Sequence, residues 1–127
     1  MQGRIMVFND DQDILQGYHL LLASAAYSVI THTLLPLMTP DEIAGVAPDL
    51  IILDWSSGYD DGCLKLLDHV AAHPGTATTP VMICTELPPQ QMERYADILP
   101  SHAADILYKP VDADTLLTTI HAHIASS

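Results

Sequence analysis

Basic residues are scarce in this chain of 127 residues. Lys and Arg total 4 against 16 Asp and Glu, which gives a formal net charge of −12. Without a basic patch, the chain has no surface suited to nucleic-acid phosphates or to an anionic membrane. The same imbalance favours a partner with a basic surface or a bound cation. We therefore expect no direct binding to nucleic acid.

Long apolar runs and cysteine motifs are also missing. No stretch reaches the roughly 18 apolar residues of a transmembrane helix, and the N-terminal segment leads directly into a predicted strand, unlike a signal peptide. Cys63 and Cys84 lie in apolar settings without CxxC spacing, which indicates buried thiols in a reducing cytosol. We therefore expect a cytoplasmic protein without membrane contact, folded as one domain over residues 1–127.

Two hydrophobic periods alternate along the chain. Short apolar runs, most of them rich in β-branched residues, predict strands at 4–8, 27–33, 50–53, 80–84 and 104–108. Apolar residues at helical spacing predict helices that begin near 13, 41, 63, 89 and 112, the fourth running to residue 99. Five such units predict an α/β fold, (βα)5, with a doubly wound, five-stranded parallel sheet and helices on both faces. The second strand is more polar and fits an edge, as in the order 2-1-3-4-5.

Polar and charged side chains directly follow four of the predicted strands: Asn9, Asp10, Asp11, Asp54, Thr85 and Lys109. Because the carboxyl ends of parallel strands meet at one edge of a sheet, we expect these side chains to lie together. Carboxylates at such short range would repel one another without a cation, and Mg²⁺ prefers oxygen ligands. A hydroxyl and an ammonium beside a metal-bound carboxylate predict phosphoryl transfer, with Asp54 as the nucleophile.

Four segments, in the right order and across the full length, resemble the CheY-like receiver domain of two-component response regulators, whose fold is flavodoxin-like. IMVFNDDQDIL resembles the first strand and its acidic pocket, and LIILDW resembles the phosphoacceptor strand. PVMICTE is similar to the fourth strand with its Thr, and ILYKP to the fifth strand with its Lys-Pro. Asp61 and Gly62 also match the loop that follows the phosphoacceptor in this family.

The resemblance implies a role for several of these residues. Asp54 would accept a phosphoryl group from a phosphohistidine on a histidine kinase or phosphotransfer protein, and the domain would signal to a downstream effector by conformational switching. Thr85 and Lys109 would hold the phosphoryl oxygens. The peptide bond between Lys109 and Pro110 would be cis.

The resemblance also implies a divalent cation, Mg²⁺ or Mn²⁺. Its ligands would be Asp10, Asp54 and the backbone carbonyl of Ser56. Asn9, acting through water, and Asp11 are further candidates, although Asp11 is equally suited to cap the first helix. Asn9 stands where the family has its first acid, so metal binding should be weakened rather than lost.

Two further differences from the family pattern concern the conformational switch. Glu86 replaces the small residue that follows the Thr in the family and places a bulky negative group near the path of the phosphoryl group. The switch aromatic of the family corresponds to Ile106, and Tyr108 points to the same face two residues further along the strand. We expect the core chemistry to survive and the output surface at Ile106 and Tyr108 to differ from the usual one.

Two alternatives stay open. A pseudo-receiver would dock protein partners without phosphorylation, as Asn9, Glu86 and Ile106 suggest. A metal-dependent phosphohydrolase would need an acid two residues after Asp54, where Ser56 stands, so this alternative is disfavoured. We therefore expect a phosphoacceptor signalling domain rather than an enzyme that acts on other substrates. The family also allows a homodimer through helices 4 and 5, for which the residues give no decisive sign.

Overall fold

Five strands alternate with five helices in the computed structural model, which describes residues 3–97, 99 and 103–125. The elements are β1 (Arg4–Phe8), α1 (Gln12–Ser24), β2 (Ser28–His32), α2 (Pro40–Val46), β3 (Leu50–Trp55), α3 (Asp60–Ala72), β4 (Val81–Thr85), α4 (Pro89–Glu93), β5 (Ala103–Tyr108) and α5 (Ala113–Ala125). All strands pair in parallel, in the order β2-β1-β3-β4-β5. The predicted α/β fold and strand order are confirmed.

The sheet is covered on both faces. Because side chains alternate along a strand, Met6 and Phe8 of β1 point into one apolar cluster, which also holds buried residues of α2, α3 and α4. Ile5 and Val7 point into a second cluster with buried residues of α1 and α5. All six residues of β3 are buried. The last residues of β3, Asp54 and Trp55, are therefore held in place by packing on both faces of the sheet.

Side-chain caps start three of the helices. Asp11 Oδ1 accepts the backbone N–H of Asp13 at 2.9 Å at the start of α1. Thr39 and Glu42 form a capping box at α2, and Asp112 accepts the N–H of Thr115 at 2.7 Å at α5. Such caps satisfy N–H groups that have no partner within the helix. None of the helices in the described ranges is long and apolar enough to cross a lipid bilayer.

Among the element boundaries that differ from the sequence-based predictions, those of β3 and α4 follow from packing. Strand β3 continues through Asp54 and Trp55, two residues beyond the predicted strand at 50–53, because the fully buried Trp55 pairs with Thr85 of β4. Helix α4 ends at Glu93, although apolar spacing predicted a helix to residue 99. Only Met92 of this helix is buried, so packing does little to extend it. Residue 98 of that predicted helix lies outside the described residues.

Candidate functional site

Asp54 stands at the centre of a polar site at the carboxyl edge of the sheet. Its side chain is only 1% exposed. It belongs to β3 and lies in register with Cys84 of β4. A carboxylate buried this deeply requires a countercharge and hydrogen-bond donors.

Three donors satisfy this carboxylate. The Nζ of Lys109 lies 2.8 Å from Oδ2 and 3.0 Å from Oδ1. Asn9 Nδ2 lies 3.1 Å from Oδ1, and the hydroxyl of Tyr18 donates to Oδ2 at 2.7 Å. A carboxylate offers about four lone-pair positions, so these contacts engage all of them.

Asn9 also ties the site to the backbone. Its Nδ2 lies 2.7 Å from the main-chain oxygen of Asp54 and 3.1 Å from the hydroxyl of Ser56. Its Oδ1 accepts the backbone N–H of Asp11 at 2.7 Å. Because that oxygen faces an N–H donor, the nitrogen must face Asp54, and the orientation of the amide is fixed. The residue in the family's first acid position therefore donates into the site.

The other two predicted acids, Asp10 and Asp11, make hydrogen bonds to backbone N–H groups. Asp10 Oδ1 accepts the backbone N–H of Leu35 at 3.0 Å, and Asp11 caps α1. Within the described ranges, no three His, Cys, Asp or Glu side chains converge as a metal site. The hard oxygen atoms of Asp10, Asp54 and the Ser56 carbonyl, at neighbouring strand ends, nevertheless fit the ligands that Mg²⁺ prefers. A cation there would compete with Leu35 for Asp10.

Thr85 turns away from the carboxylate. Its hydroxyl donates to the main-chain oxygen of Trp55 at 2.7 Å and accepts the N–H of Leu87 at 3.0 Å. The residue is fully buried. In this state the hydroxyl therefore stabilises the end of β4 rather than Asp54.

The Lys109–Pro110 peptide bond is cis, as the resemblance implies, and Leu35–Pro36 is a second cis bond that the sequence analysis did not single out. Lys109 also extends the pairing of β5 with β4, since its N–H donates to the oxygen of Thr85 at 2.7 Å. These backbone contacts hold the Lys109 ammonium at the edge where Asp54 lies.

The predicted switch positions lie on β5, away from Asp54. Ile106 is half-buried against the cluster that includes α3 and α4, in register with Ile83, and Tyr108 is 37% exposed. Glu86 is exposed and lines a cavity together with Lys109. Tyr108 thus lies at the surface, whereas Ile106 packs against the core.

Tyr18 is the site residue that sequence reasoning missed. Tyr18 lies among the apolar residues at helical spacing in α1, and its place on this inner face, two turns after the acidic segment, is the only signal in the sequence that points to it. Burial, reinforced by the nearby groups of Cys84 and Asp54, raises the pKa of Tyr18 well above its usual range. The hydroxyl therefore keeps its proton and is a hydrogen-bond donor to Asp54.

A second network of hydrogen bonds begins at Trp55, the residue after Asp54. The indole Nε1 of Trp55 donates to Asp60 Oδ1 at 2.9 Å, and the Tyr95 hydroxyl donates to Asp60 Oδ2. The two rings lie 5.3 Å apart at 34°. This network joins β3 to the first turn of α3 and to the segment after α4.

Comparison with known proteins matches residues 5–121 to the response regulator receiver domain. Among curated proteins, the chain is 29% identical over 108 residues to the protein-glutamate methylesterase/protein-glutamine glutaminase of group 3 operon from Rhodopseudomonas palustris, covering 84% of this chain and 29% of that protein. The chain thus spans less than a third of that relative.

Solved structures agree in fold. The receiver domain of nitrogen regulatory protein C is 24% identical, with a TM-score of 0.72 over 98% of this chain and 96% of that chain. A CheY-like response regulator from Mesorhizobium loti is 20% identical, with a TM-score of 0.68 over 97% and 99%. Since the family match runs from the first strand into the last helix, the chain belongs to the response regulator receiver domains of two-component systems.

Proposed function

We propose that Asp54 accepts a phosphoryl group from a phosphohistidine on a histidine kinase or phosphotransfer protein. The observation that supports this most directly is the contact of the Lys109 ammonium with both oxygens of the buried Asp54 carboxylate. The ammonium lies beside the carboxylate, where it can offset charge on an incoming phosphoryl group.

In the transfer, a carboxylate oxygen of Asp54 forms a bond to phosphorus, and the bond from phosphorus to the histidine nitrogen breaks, with its electron pair remaining on that nitrogen. Lys109 stabilises the equatorial oxygens. Asp10, Asp54 and the Ser56 carbonyl would hold Mg²⁺ or Mn²⁺, which when bound neutralises charge on those oxygens.

Signalling would follow from the hydroxyl of Thr85. Because the hydroxyl has a single proton, it must leave the oxygen of Trp55, at 2.7 Å, to donate to the phosphoryl group. The N–H of Leu87, which donates to the same hydroxyl oxygen at 3.0 Å, would have to follow it or lose this contact. Trp55 precedes α3 and Leu87 precedes α4, so the movement would alter the backbone that leads into both helices. The downstream effector would then recognise these altered segments. It would not depend on a switch aromatic, since Ile106 stands at that position.

We further propose that the chain is one receiver domain that catalyses only its own phosphorylation and dephosphorylation. Its location would be the cytoplasm, where a histidine kinase presents its phosphohistidine. A homodimer through α4 and α5 is compatible with the proposal but has no observation in its favour.

A pseudo-receiver is the second candidate. The full engagement of the Asp54 lone pairs by Lys109, Asn9 and Tyr18 favours it, because a site already satisfied by the protein itself resists new ligands. Such a domain would dock its partners without phosphorylation.

Intact mass separates these candidates. The wild-type protein and Asp54→Asn are incubated with acetyl phosphate and Mg²⁺, then weighed. One added phosphoryl group in the wild type only supports the proposal. No addition in a folded wild-type protein would contradict it and favour the pseudo-receiver.

A further inference from the structure

The two oxygens of Asp54 have different surroundings. Oδ1 faces Asn9 at 3.1 Å, on the side where Ser56 and Asp10 follow their strands. Oδ2 faces the Tyr18 hydroxyl at 2.7 Å and shares the Lys109 ammonium. The oxygen on the side of the proposed metal ligands is therefore Oδ1, which leaves Oδ2 to attack phosphorus.

An attacking oxygen needs a free lone pair. The Tyr18 hydrogen bond occupies one on Oδ2 and withdraws charge from it. This contact stabilises the resting carboxylate but is lost as the oxygen–phosphorus bond forms, so it raises the barrier rather than lowering it. Tyr18 contacts the reacting atom without belonging to the strand-end set that the family resemblance implies.

We propose that Tyr18 gates the phosphoacceptor: its hydroxyl closes Oδ2 in the resting protein and must swing away before phosphoryl transfer. This inference rests on the proposed function. In the step, the Oδ2–phosphorus bond forms, the bond from phosphorus to the leaving group breaks, and the leaving group keeps the electron pair. Tyr18 keeps its proton throughout.

The molecule has room for this movement. Tyr18 lines a cavity of about 600 Å³ between α1 and the segment that leads into α5, with Ile14, Leu21 and Leu116 among its apolar walls. Gly17 also lines it, and a Cβ added there would meet no atom within 4 Å outside its two chain neighbours and the nearby helix backbone. The cavity can therefore accept the phenol ring when the hydroxyl leaves Asp54.

Rates of labelling by acetyl phosphate in Mg²⁺, followed by intact mass, test the gate. Tyr18→Phe keeps the ring and removes the hydroxyl. We expect it to be labelled about tenfold faster than wild type, the factor for loss of roughly 1.4 kcal/mol of hydrogen bonding to a charged group. Gly17→Leu fills the cavity, keeps the hydroxyl, and should be labelled several-fold more slowly. Urea unfolding confirms that both variants fold, and Asp54→Asn gives the blank.

The outcomes are distinct. A labelled wild type with an equal or slower Tyr18→Phe overturns the gate and leaves the proposed function intact, since Tyr18 would then be neutral or a donor to the phosphoryl group. An unlabelled wild type with a labelled Tyr18→Phe supports a closed gate. Absence of label in both folded proteins overturns the proposed function and the gate together. A folded Gly17→Leu labelled as fast as wild type overturns the role of the cavity.

Discussion

Asn9 donates its side-chain amide to Asp54 twice, to the main-chain oxygen at 2.7 Å and to Oδ1 at 3.1 Å. Where the family pattern has an acid, this chain therefore places a hydrogen-bond donor. The amide removes one negative charge from the site and satisfies part of Asp54. We therefore expect the fold to be stable without a divalent cation.

The substitution Asn9→Asp should make the stability of the fold depend on a divalent cation. Without metal, the new carboxylate would face Asp54 and leave the Asp54 main-chain oxygen and the Ser56 hydroxyl without their donor. The free energy of unfolding should fall by about 2–4 kcal/mol. Saturating Mg²⁺ should restore roughly 2–3 kcal/mol of it, because the cation binds only the folded state. Urea unfolding in EDTA and in Mg²⁺ measures both values.

Gln16→Glu is the matched control. It adds the same charge at an exposed position of α1, and should change the free energy of unfolding by less than about 0.5 kcal/mol in either buffer. Equal stabilisation of wild type and Asn9→Asp by Mg²⁺ would contradict the prediction, because the amide would then not hinder the metal.

Substitutions of Lys109 and Asp54 should have strongly non-additive effects on the free energy of unfolding. Lys109→Met leaves the buried carboxylate with two neutral donors only, and should cost about 2–3 kcal/mol. Adding Asp54→Asn to that variant should recover most of the loss, since no buried charge remains. A double-mutant cycle by urea unfolding gives the coupling free energy.

The exposed ion pair of Lys65 and Asp61 is the control for this cycle. Its atoms lie 3.0 Å apart, but the side chains are 59% and 86% exposed. Lys65→Met should therefore change stability by less than about 0.5 kcal/mol. Additive effects of Lys109→Met and Asp54→Asn would contradict the coupling.

Sequence patterns predict the part of this site that topology determines. The ends of parallel strands converge, so Asp54 and Lys109 could be placed together before any coordinates were known. Capping residues such as Asp112 were also predictable, because the cap is a local hydrogen bond. These features depend on element type and order alone.

The rest depends on how the elements are rotated against one another. Tyr18 lies on the apolar stripe of α1, and a tyrosine there looks the same in the sequence whether its hydroxyl meets a carboxylate or solvent. Trp55 lies beyond the strand predicted at 50–53, yet it ends β3 as a core residue because β4 extends far enough to pair with it. Such contacts follow from three-dimensional packing.

Two alanines in the left-handed region offer a test of backbone strain. Ala26 has φ 70° and Ala47 has φ 54°, where glycine avoids the steric cost of a Cβ atom. Ala26→Gly and Ala47→Gly should each raise the free energy of unfolding by about 0.5–1 kcal/mol. Ala23→Gly, in the helical backbone of α1, should lower it by a similar amount. If all three shift in the same direction, left-handed strain is not the cause.

Asp60 should make stability depend on pH. Burial alone would raise its pKa, but the hydrogen bonds from Tyr95 and Trp55 outweigh burial, and the pKa in the folded protein is lowered. A lowered pKa stabilises the fold fully above the unfolded-state value of about 3.9. That contribution is lost as the pH falls through the folded-state pKa.

Asp60→Asn should therefore be less stable than wild type at neutral pH, and the difference should shrink below about pH 4 as wild type loses its advantage. Trp55, the single tryptophan, reports urea unfolding by its fluorescence at each pH. Asp68→Asn, at an exposed position of the same helix, should follow wild type throughout. A constant difference between wild type and Asp60→Asn down to about pH 3 would mean that the amide costs packing or hydrogen bonding rather than charge.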